Sequence, residues 1–168
     1  MIQVSLDTSF LISFADPSRP NHTVAVDYFR HCLAQQIPMW ISTVAAGEFE
    51  VKQPISDLPL QNFRIQPYNL PHAIRAAALF RSLNEAKAAF ADDTRRIIIN
   101  DLKIIAQADE DQIEVILTED ANTLSRIATR LRQRNASSVR VLLLTEGFTP
   151  GKLGNPDQGE FTIRQSSG

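Results

Sequence analysis

Four carboxylates stand at positions from which they could bind divalent cations together: Asp7, Glu48, Asp101 and Asp120. Asp7 ends the first apolar run, and Asp120 ends the run Val115-Ile116-Leu117-Thr118. Converging carboxylates repel one another and raise one another's pKa, whereas Mg²⁺ or Mn²⁺ compensates their charge and prefers oxygen ligands. If the four acids converge, they indicate metal-dependent cleavage of a phosphodiester.

The helical phase of Asp101 and Glu48 argues against a simple role at the surface. Asp101 lies three residues after Ile98 and four before Ile105, within an apolar stripe. Glu48 lies four residues after Val44, on the inner face of its own helical stretch. A carboxylate on an inward face requires a partner.

Asp7 and Asp120 each follow a predicted strand and precede a predicted helix. Either residue alone is explained more simply as a helix cap at the positive end of the helix dipole. In an open parallel sheet, however, the carboxyl ends of the strands share the edge where ligands bind. We therefore expect Asp7 and Asp120 on one rim, with Glu48 and Asp101 reaching it from adjacent helices.

Apolar runs and breakers predict the elements that would position these acids. Strands are predicted at residues 2–6, 39–41, 113–118 and 139–144. Helices are predicted at residues 10–15, 21–36, 42–51, 72–90, 94–109 and 121–134. The proline-rich connector 53–71 could contribute a short strand or a turn at 62–65. This alternation predicts a three-layer α/β/α sandwich with a central, mainly parallel, twisted sheet of four to five strands.

Composition indicates one domain and no coat of basic charge. The chain has 168 residues and a formal charge of -2, so a polyanion would have to be held by a local patch or by metal ions. We predict a domain over 1–145 and a Gly/Pro-rich C-terminal extension over 146–168, forming an edge strand or a loose tail. The single cysteine, Cys32, is expected to be a buried thiol, and without a leader or a membrane-spanning run we expect a soluble cytoplasmic protein.

Four segments in order resemble the conserved blocks of PIN-domain ribonucleases. They are Val4-Ser5-Leu6-Asp7-Thr8-Ser9, Ile41-Ser42-Thr43-Val44-Ala45-Ala46-Gly47-Glu48-Phe49, Asn100-Asp101-Leu102-Lys103-Ile104-Ile105-Ala106-Gln107-Ala108 and Leu117-Thr118-Glu119-Asp120. Within that family, the resemblance is greatest to the VapC-type toxins of prokaryotic toxin–antitoxin pairs.

This resemblance implies a PIN-like fold and a metal-dependent endoribonuclease with one or two Mg²⁺ or Mn²⁺ ions. It further implies an antitoxin protein as partner and a homodimer. The implied catalytic and metal-binding residues are Asp7, Glu48, Asp101 and Asp120, with Thr8, Ser9 and Thr118 in support. Many members carry a further acid where this chain has Asn122, which is a neutral ligand at best. The number of bound ions, one or two, therefore stays open.

Basic and apolar residues give weaker indications of binding surfaces. Arg95, Arg96 and Lys103 flank Asp101 and could contact RNA phosphates. Arg126, Arg130 and Arg134 lie on a helix that leads away from Asp120, and at about 1.5 Å per residue it ends about 20 Å distant. His22, His31 and His72 have no metal-ligand spacing and are expected on surface or helix faces. The aromatic and apolar residues Phe10, Leu11, Phe14, Tyr28 and Phe29 could leave a groove for an antitoxin segment or a second copy, but filling of the core is the simpler interpretation.

Two other classes of function remain open on the sequence. A catalytically silent PIN-like interaction module would keep the fold and bind another protein. A phosphotransfer or phosphatase-type enzyme would also place an Asp at the end of a strand. The phosphatase pattern, however, requires a second Asp two positions after Asp7, where Ser9 stands. A nucleotide-cofactor enzyme is disfavoured because no Gly-rich loop follows Leu6.

Overall fold

The computed structural model describes residues 1–84 and 92–154. Within these ranges a five-stranded sheet has the order β3-β2-β1-β4-β5, and every neighbouring pair is parallel. The strands are β1 (Val4–Leu6), β2 (Met39–Ser42), β3 (Arg64–Gln66), β4 (Val115–Thr118) and β5 (Arg140–Leu143). The chain winds from β1 to one side and later returns to β4 on the other side, which makes the β1–β4 boundary a topological switch point.

Helices connect the strands and cover both faces of the sheet. They are α1 (Thr8–Ala15), α2 (His22–Ala34), α3 (Thr43–Lys52), α4 (Leu70–Asn84), α5 (Asp92–Glu110) and α6 (Leu124–Gln133). Short 3₁₀ turns occupy Ile55–Asp57, Leu60–Asn62, Leu144–Glu146 and Pro150–Leu153. No helix in the described ranges is both long enough and apolar enough to cross a membrane.

Alternating side chains of the strands build two cores. Leu6, Ile41 and Leu117 point into the core beneath α1 and α2, while Ile116 points into the core beneath α4, α5 and α6. Helix α3 contributes to both cores, because Phe49 belongs to the first and Ala45 to the second. The arrangement is a three-layer α/β/α sandwich, which confirms the predicted fold class.

Local sequence sets where the site-bearing helices begin. Asp7 caps α1 by accepting a hydrogen bond from the Ser9 backbone, and Ser42 caps α3 by accepting one from the Val44 backbone. Asp7 is therefore the helix cap that the sequence allowed, and a cap can also bind a metal ion. Helix α6 begins at Leu124 and not at Ala121, because residues 121–123 form a turn closed by Asp120.

The aromatic residues of α1 and α2 fill the first core. Phe10, Leu11 and Tyr28 are buried, and Phe14 packs against Phe29 with ring centroids 4.8 Å apart. The interpretation that these residues fill the core is therefore confirmed, and the alternative of an open apolar groove was wrong. Cys32 is fully buried, as expected.

The segment after β5 packs on the body of the protein as far as Gly154. Leu153 is buried in the first core, and the ring of Phe148 meets Tyr28 edge-on at 5.0 Å. The proposed boundary at residue 145 stays a prediction. The strand-like piece at 160–164 and the end of the predicted helix 72–90 lie outside the described residues.

Candidate metal centre

Asp7 lies at the carboxyl end of β1, buried beside the neighbouring strand β4. Its Oδ2 accepts hydrogen bonds from Ser9 Oγ at 2.9 Å and from Thr118 Oγ1 at 2.8 Å. The parallel register pairs Leu6 with Leu117, which places Thr118 beside Asp7. Burial raises the pKa of Asp7, although the hydrogen bonds from Thr118 and Ser9 oppose that rise. The two hydroxyls thus stabilise a carboxylate that burial would otherwise neutralise.

Glu48 bridges two helices at the same edge of the sheet. Its Oε2 accepts a 2.6 Å hydrogen bond from Thr8 Oγ1 on α1, and its Oε1 accepts a 3.0 Å bond from Asn100 Nδ2 on α5. Thr8 is itself buried, with 8% of its surface exposed. Both oxygens of Glu48 are therefore held in place by donors from other elements.

Asp101 differs from the other three acids in having a buried oxygen without a hydrogen-bond partner among the described residues. Its Oδ2 is buried and accepts no hydrogen bond from any described residue. Burial, the largest cause, and the negative charges of Asp7, Asp120 and Glu48 together raise the pKa of Asp101 to about 7, against a hydrogen bond from Thr123 that lowers it. The carboxyl group of Asp101 therefore lies within the electrostatic field of all three other acids.

Asp120 follows β4 and closes the turn that leads into α6. Its Oδ1 accepts backbone hydrogen bonds from Asn122 at 2.9 Å and from Thr123 at 2.8 Å, and the Thr123 hydroxyl donates to Oδ2. Burial alone would raise the pKa of Asp120, but these bonds and one from the Leu124 backbone together lower it. Asp120 is thus held as a carboxylate near neutral pH.

The four acids line a single cleft of about 310 Å³. Its other lining residues come from α1, the α1–α2 connection, α3 and α5; they are Thr8, Ser9, Ile12, Arg19, Lys52, Ile97 and Asn100. The side chain of Asn122 is exposed and does not line this cleft. The structure therefore brings Asp7, Glu48, Asp101 and Asp120 together at the carboxyl edge of the sheet, as the sequence predicted.

The donor set of the cleft suits a hard divalent cation. Carboxylates, hydroxyls and the Asn100 amide supply oxygen atoms, the ligands that Mg²⁺ and Mn²⁺ prefer. Within 1–84 and 92–154, no group of three His, Cys, Asp or Glu side chains is already arranged around a metal position. The unpartnered, buried Oδ2 of Asp101 nevertheless fits a cation, because a positive charge there would offset the repulsion from the other three acids.

The basic residues of the cleft are ones that sequence reasoning missed. Arg19 and Lys52 line it, whereas Lys103 lies in a separate groove over the ring of Tyr68, 6.0 Å from its centroid. Lys103 follows Asp101 by two residues, about 200° around the helix, so the two face apart. The side chains of Arg95 and Arg96 lie outside the described part of the chain. Lys52 was detectable, since it lies one helical turn after Glu48.

The histidines lie away from the cleft, but one of them is not at the surface. His72 is 2% exposed, its Nε2 lies 3.2 Å from Asp111 Oδ2, and its Nδ1 accepts a hydrogen bond from the Asn69 backbone. Of the two positions expected for the histidines, a surface or a helix face, His72 therefore takes the second, on the inner face of α4. It connects α4 to the end of α5.

The family model of the PIN domain matches residues 4–130. The chain therefore belongs to the PIN domain family. The match spans the described strands β1 to β4 and all four acids of the cleft. No curated protein sequence matches the chain.

Several solved structures share the fold. VapBC2 from Rickettsia felis, bound to a DNA fragment from its promoter, aligns with TM-score 0.58 and 14% identity, covering 85% of this chain and 98% of that one. FitAcB from Neisseria gonorrhoeae aligns with TM-score 0.58 and 17% identity, covering 85% and 99%. VapC20 from Mycobacterium tuberculosis, a Sarcin-Ricin loop cleaving toxin, aligns with TM-score 0.50 and 14% identity, covering 71% and 92%.

Proposed function

We propose that this PIN domain is a metal-dependent endoribonuclease and the toxin component of a toxin–antitoxin pair. The observation that carries the proposal is the convergence of four acids on one cleft, with a buried oxygen of Asp101 that has no partner among the described residues. The shared fold with VapC20, whose name describes RNA cleavage, supports RNA as the substrate class.

The residues that would hold Mg²⁺ or Mn²⁺ are Asp7, Glu48, Asp101 and Asp120. A bound divalent cation supplies Lewis-acid activation of water and of the phosphodiester. Asn122 is exposed outside the cleft, so these four acids are the whole carboxylate set that we assign to either one or two ions.

The neighbouring side chains orient these acids. Thr118 and Ser9 fix Asp7, while Thr8 and Asn100 fix Glu48 by one hydrogen bond to each oxygen. Such outer partners hold a ligand in its orientation and tune its basicity. Burial and the neighbouring acids raise the pKa of Asp101 to about 7, so we assign to it the role of the acid whose ionisation responds most to a cation bound in the cleft.

The test compares RNA cleavage by the parent, Asp7→Asn and Asp101→Asn, each with added Mg²⁺, Mn²⁺ or EDTA. We expect cleavage by the parent with either metal and a loss of at least about 100-fold in both variants. Asp57→Asn is the matched control, because Asp57 is exposed and lies outside the cleft. Equal cleavage by the parent and the cleft variants would refute the proposal that this cleft is a nuclease site. Tight binding of a partner without any cleavage would favour the catalytically silent interaction module.

We further propose an antitoxin partner and a homodimer, in the cytoplasm. Helix α4 supports a protein-binding surface, because Leu70 and Ile74 lie four residues apart on one face of it and are 72% and 62% exposed. Adjacent exposed apolar side chains of this kind can mark an interaction site. Light scattering of the isolated protein should give twice the chain mass, and Ile74→Glu should reduce it to one chain. A monomeric parent would refute the homodimer.

A further inference from the structure

We propose that Arg19 and Lys52 bind the phosphates of the RNA at the acid cleft, and that Arg19 exchanges an ion pair with Glu119 for a phosphate when RNA binds. This inference rests on the proposed function and adds to it the residues that hold the substrate backbone.

The cleft is acidic overall, so RNA phosphates can bind there only where basic side chains or metal ions contact them. Four acids line it against two basic residues, and the whole chain has a formal charge of -2. A phosphate backbone approaching such a cleft is repelled except where cations meet it, and phosphate contacts position a nucleic acid without reading its sequence. Arg19 and Lys52 are the basic side chains that the described lining of the cleft offers.

Hydrogen bonds of neighbouring residues position Arg19, whereas its own guanidinium group makes only one long ion pair. Glu119 Oε1 accepts hydrogen bonds from the hydroxyl of Ser13 and from Asn21 Nδ2, the latter at 3.1 Å. These bonds fasten the α1–α2 connection to the end of β4. The guanidinium itself reaches Glu119 Oε2 only at 3.9 Å, and 44% of its side chain is exposed. An exposed ion pair of this length is worth little, so its replacement by a phosphate costs little.

Lys52 stands at the end of α3, one helical turn beyond Glu48. Its side chain is exposed, and within the described residues it makes no ion pair within 4.0 Å. A Lys in this position meets a phosphate as a flexible point charge, whereas Arg19 offers a planar fork of donors. The two contacts come from different elements, so each can be removed without disturbing the other.

The experiment measures binding of a single-stranded phosphorothioate RNA, which resists cleavage, in Mg²⁺ over a series of salt concentrations. The proteins are the parent, Arg19→Gln, Lys52→Gln and the control Arg130→Gln, whose side chain is exposed on α6 outside the cleft. We expect each cleft variant to weaken binding about threefold to tenfold and to reduce the slope of log affinity against log salt by about 0.7. Arg19→Lys should keep the parent slope.

Cleavage of ordinary RNA gives a second readout. Arg19→Gln and Lys52→Gln should raise KM with little change in kcat, since they touch the backbone and not the reacting centre. If the parent cleaves RNA while both variants keep the parent salt slope, this proposal is overturned and the nuclease stands. If the parent neither binds nor cleaves RNA with either metal, the nuclease falls and this proposal falls with it.

Glu119→Gln isolates the exchange. The variant keeps an amide oxygen for Ser13 and Asn21 but removes the charge that competes for Arg19. We expect RNA affinity to rise about twofold to threefold in the parent background and less in the Arg19→Gln background. The same gain in both backgrounds would show that Glu119 acts through its charge alone and would overturn the exchange.

Discussion

Replacing Asp101 by Asn should stabilise the protein in EDTA while removing its response to metal. Asp101 is half-buried, its buried Oδ2 has no hydrogen-bond partner among the described residues, and the negative charges of three other acids act on its carboxylate. An amide carries no charge, and its NH₂ group can donate to the neighbouring carboxylates. The variant therefore removes the repulsion between Asp101 and the three other carboxylates of the cleft.

The size of the gain follows from the pKa of Asp101. A rise from 3.8 to about 7 corresponds to roughly 4 kcal/mol of differential interaction. Because Asp101 is only half-buried, solvent screening reduces this value, and we expect about 2–4 kcal/mol. For a chain of this length that is a rise in Tm of about 5–10 °C.

The pH dependence has a defined sign. The folded state holds the proton of Asp101 more tightly than the unfolded state, so between pH 3.8 and about 7 unfolding releases a proton. The parent therefore loses stability as pH rises through this window, whereas Asp101→Asn is spared that loss. The difference in unfolding free energy between variant and parent should be small near pH 4 and reach its full value above pH 7.

Thermal and urea unfolding in EDTA at several pH values measure this difference, with Asp57→Asn as the control for loss of an exposed acid. Added Mg²⁺ should then raise the stability of the parent, by about 2.7 kcal/mol at one hundred times its dissociation constant, and raise that of the variant much less. Equal stability of parent and variant at pH 8 in EDTA, or equal stabilisation of both by Mg²⁺, would refute the reasoning.

Three further substitutions test other parts of the structure. Thr118→Val keeps the side-chain volume but removes the hydroxyl that donates to Asp7, so the affinity for Mg²⁺ should fall about tenfold in a calorimetric titration; an unchanged affinity would show that Asp7 needs no such support. Ser5→Ala should raise the unfolding free energy by about 1 kcal/mol in urea, because the buried Ser5 hydroxyl has no hydrogen-bond partner among the described residues. A loss of stability would indicate that the hydroxyl has a partner after all. Leu153→Ala should cost about 2–4 kcal/mol in the same assay, since Leu153 is 1% exposed in the first core; no cost would mean that the segment after residue 145 is dispensable for folding.

The acids of the cleft were predictable because local rules decide their positions. Asp7 and Asp120 end strands whose parallel pairing brings their carboxyl ends to one edge, and the helical phase of Asp101 and Glu48 turns them inward. The same phase rule, applied two residues further, would have separated Lys103 from Asp101. The short strand Arg64–Gln66 was anticipated only as a strand or turn, because three residues carry little periodic signal.

The positions of Arg19 and His72 could not be predicted, because they depend on contacts between residues that are far apart in the sequence. Arg19 reaches the cleft because Glu119, far along the chain, holds Ser13 and Asn21. His72 is buried because Asp111 lies against it, although 39 residues separate the two. No local pattern encodes either pairing, since each depends on which helix ends the completed sheet brings together.

The unequal support of the four acids has a structural origin. Asp7, Glu48 and Asp120 accept hydrogen bonds from side chains or backbone groups at strand ends and helix starts, where free donors are plentiful. Asp101 lies within a long helix, whose backbone donors are already used by the helix itself. Its second oxygen therefore depends on a side chain, a water or a bound cation. Replacing Asp101 should therefore separate the stability of the fold from its metal binding most clearly among the four acids.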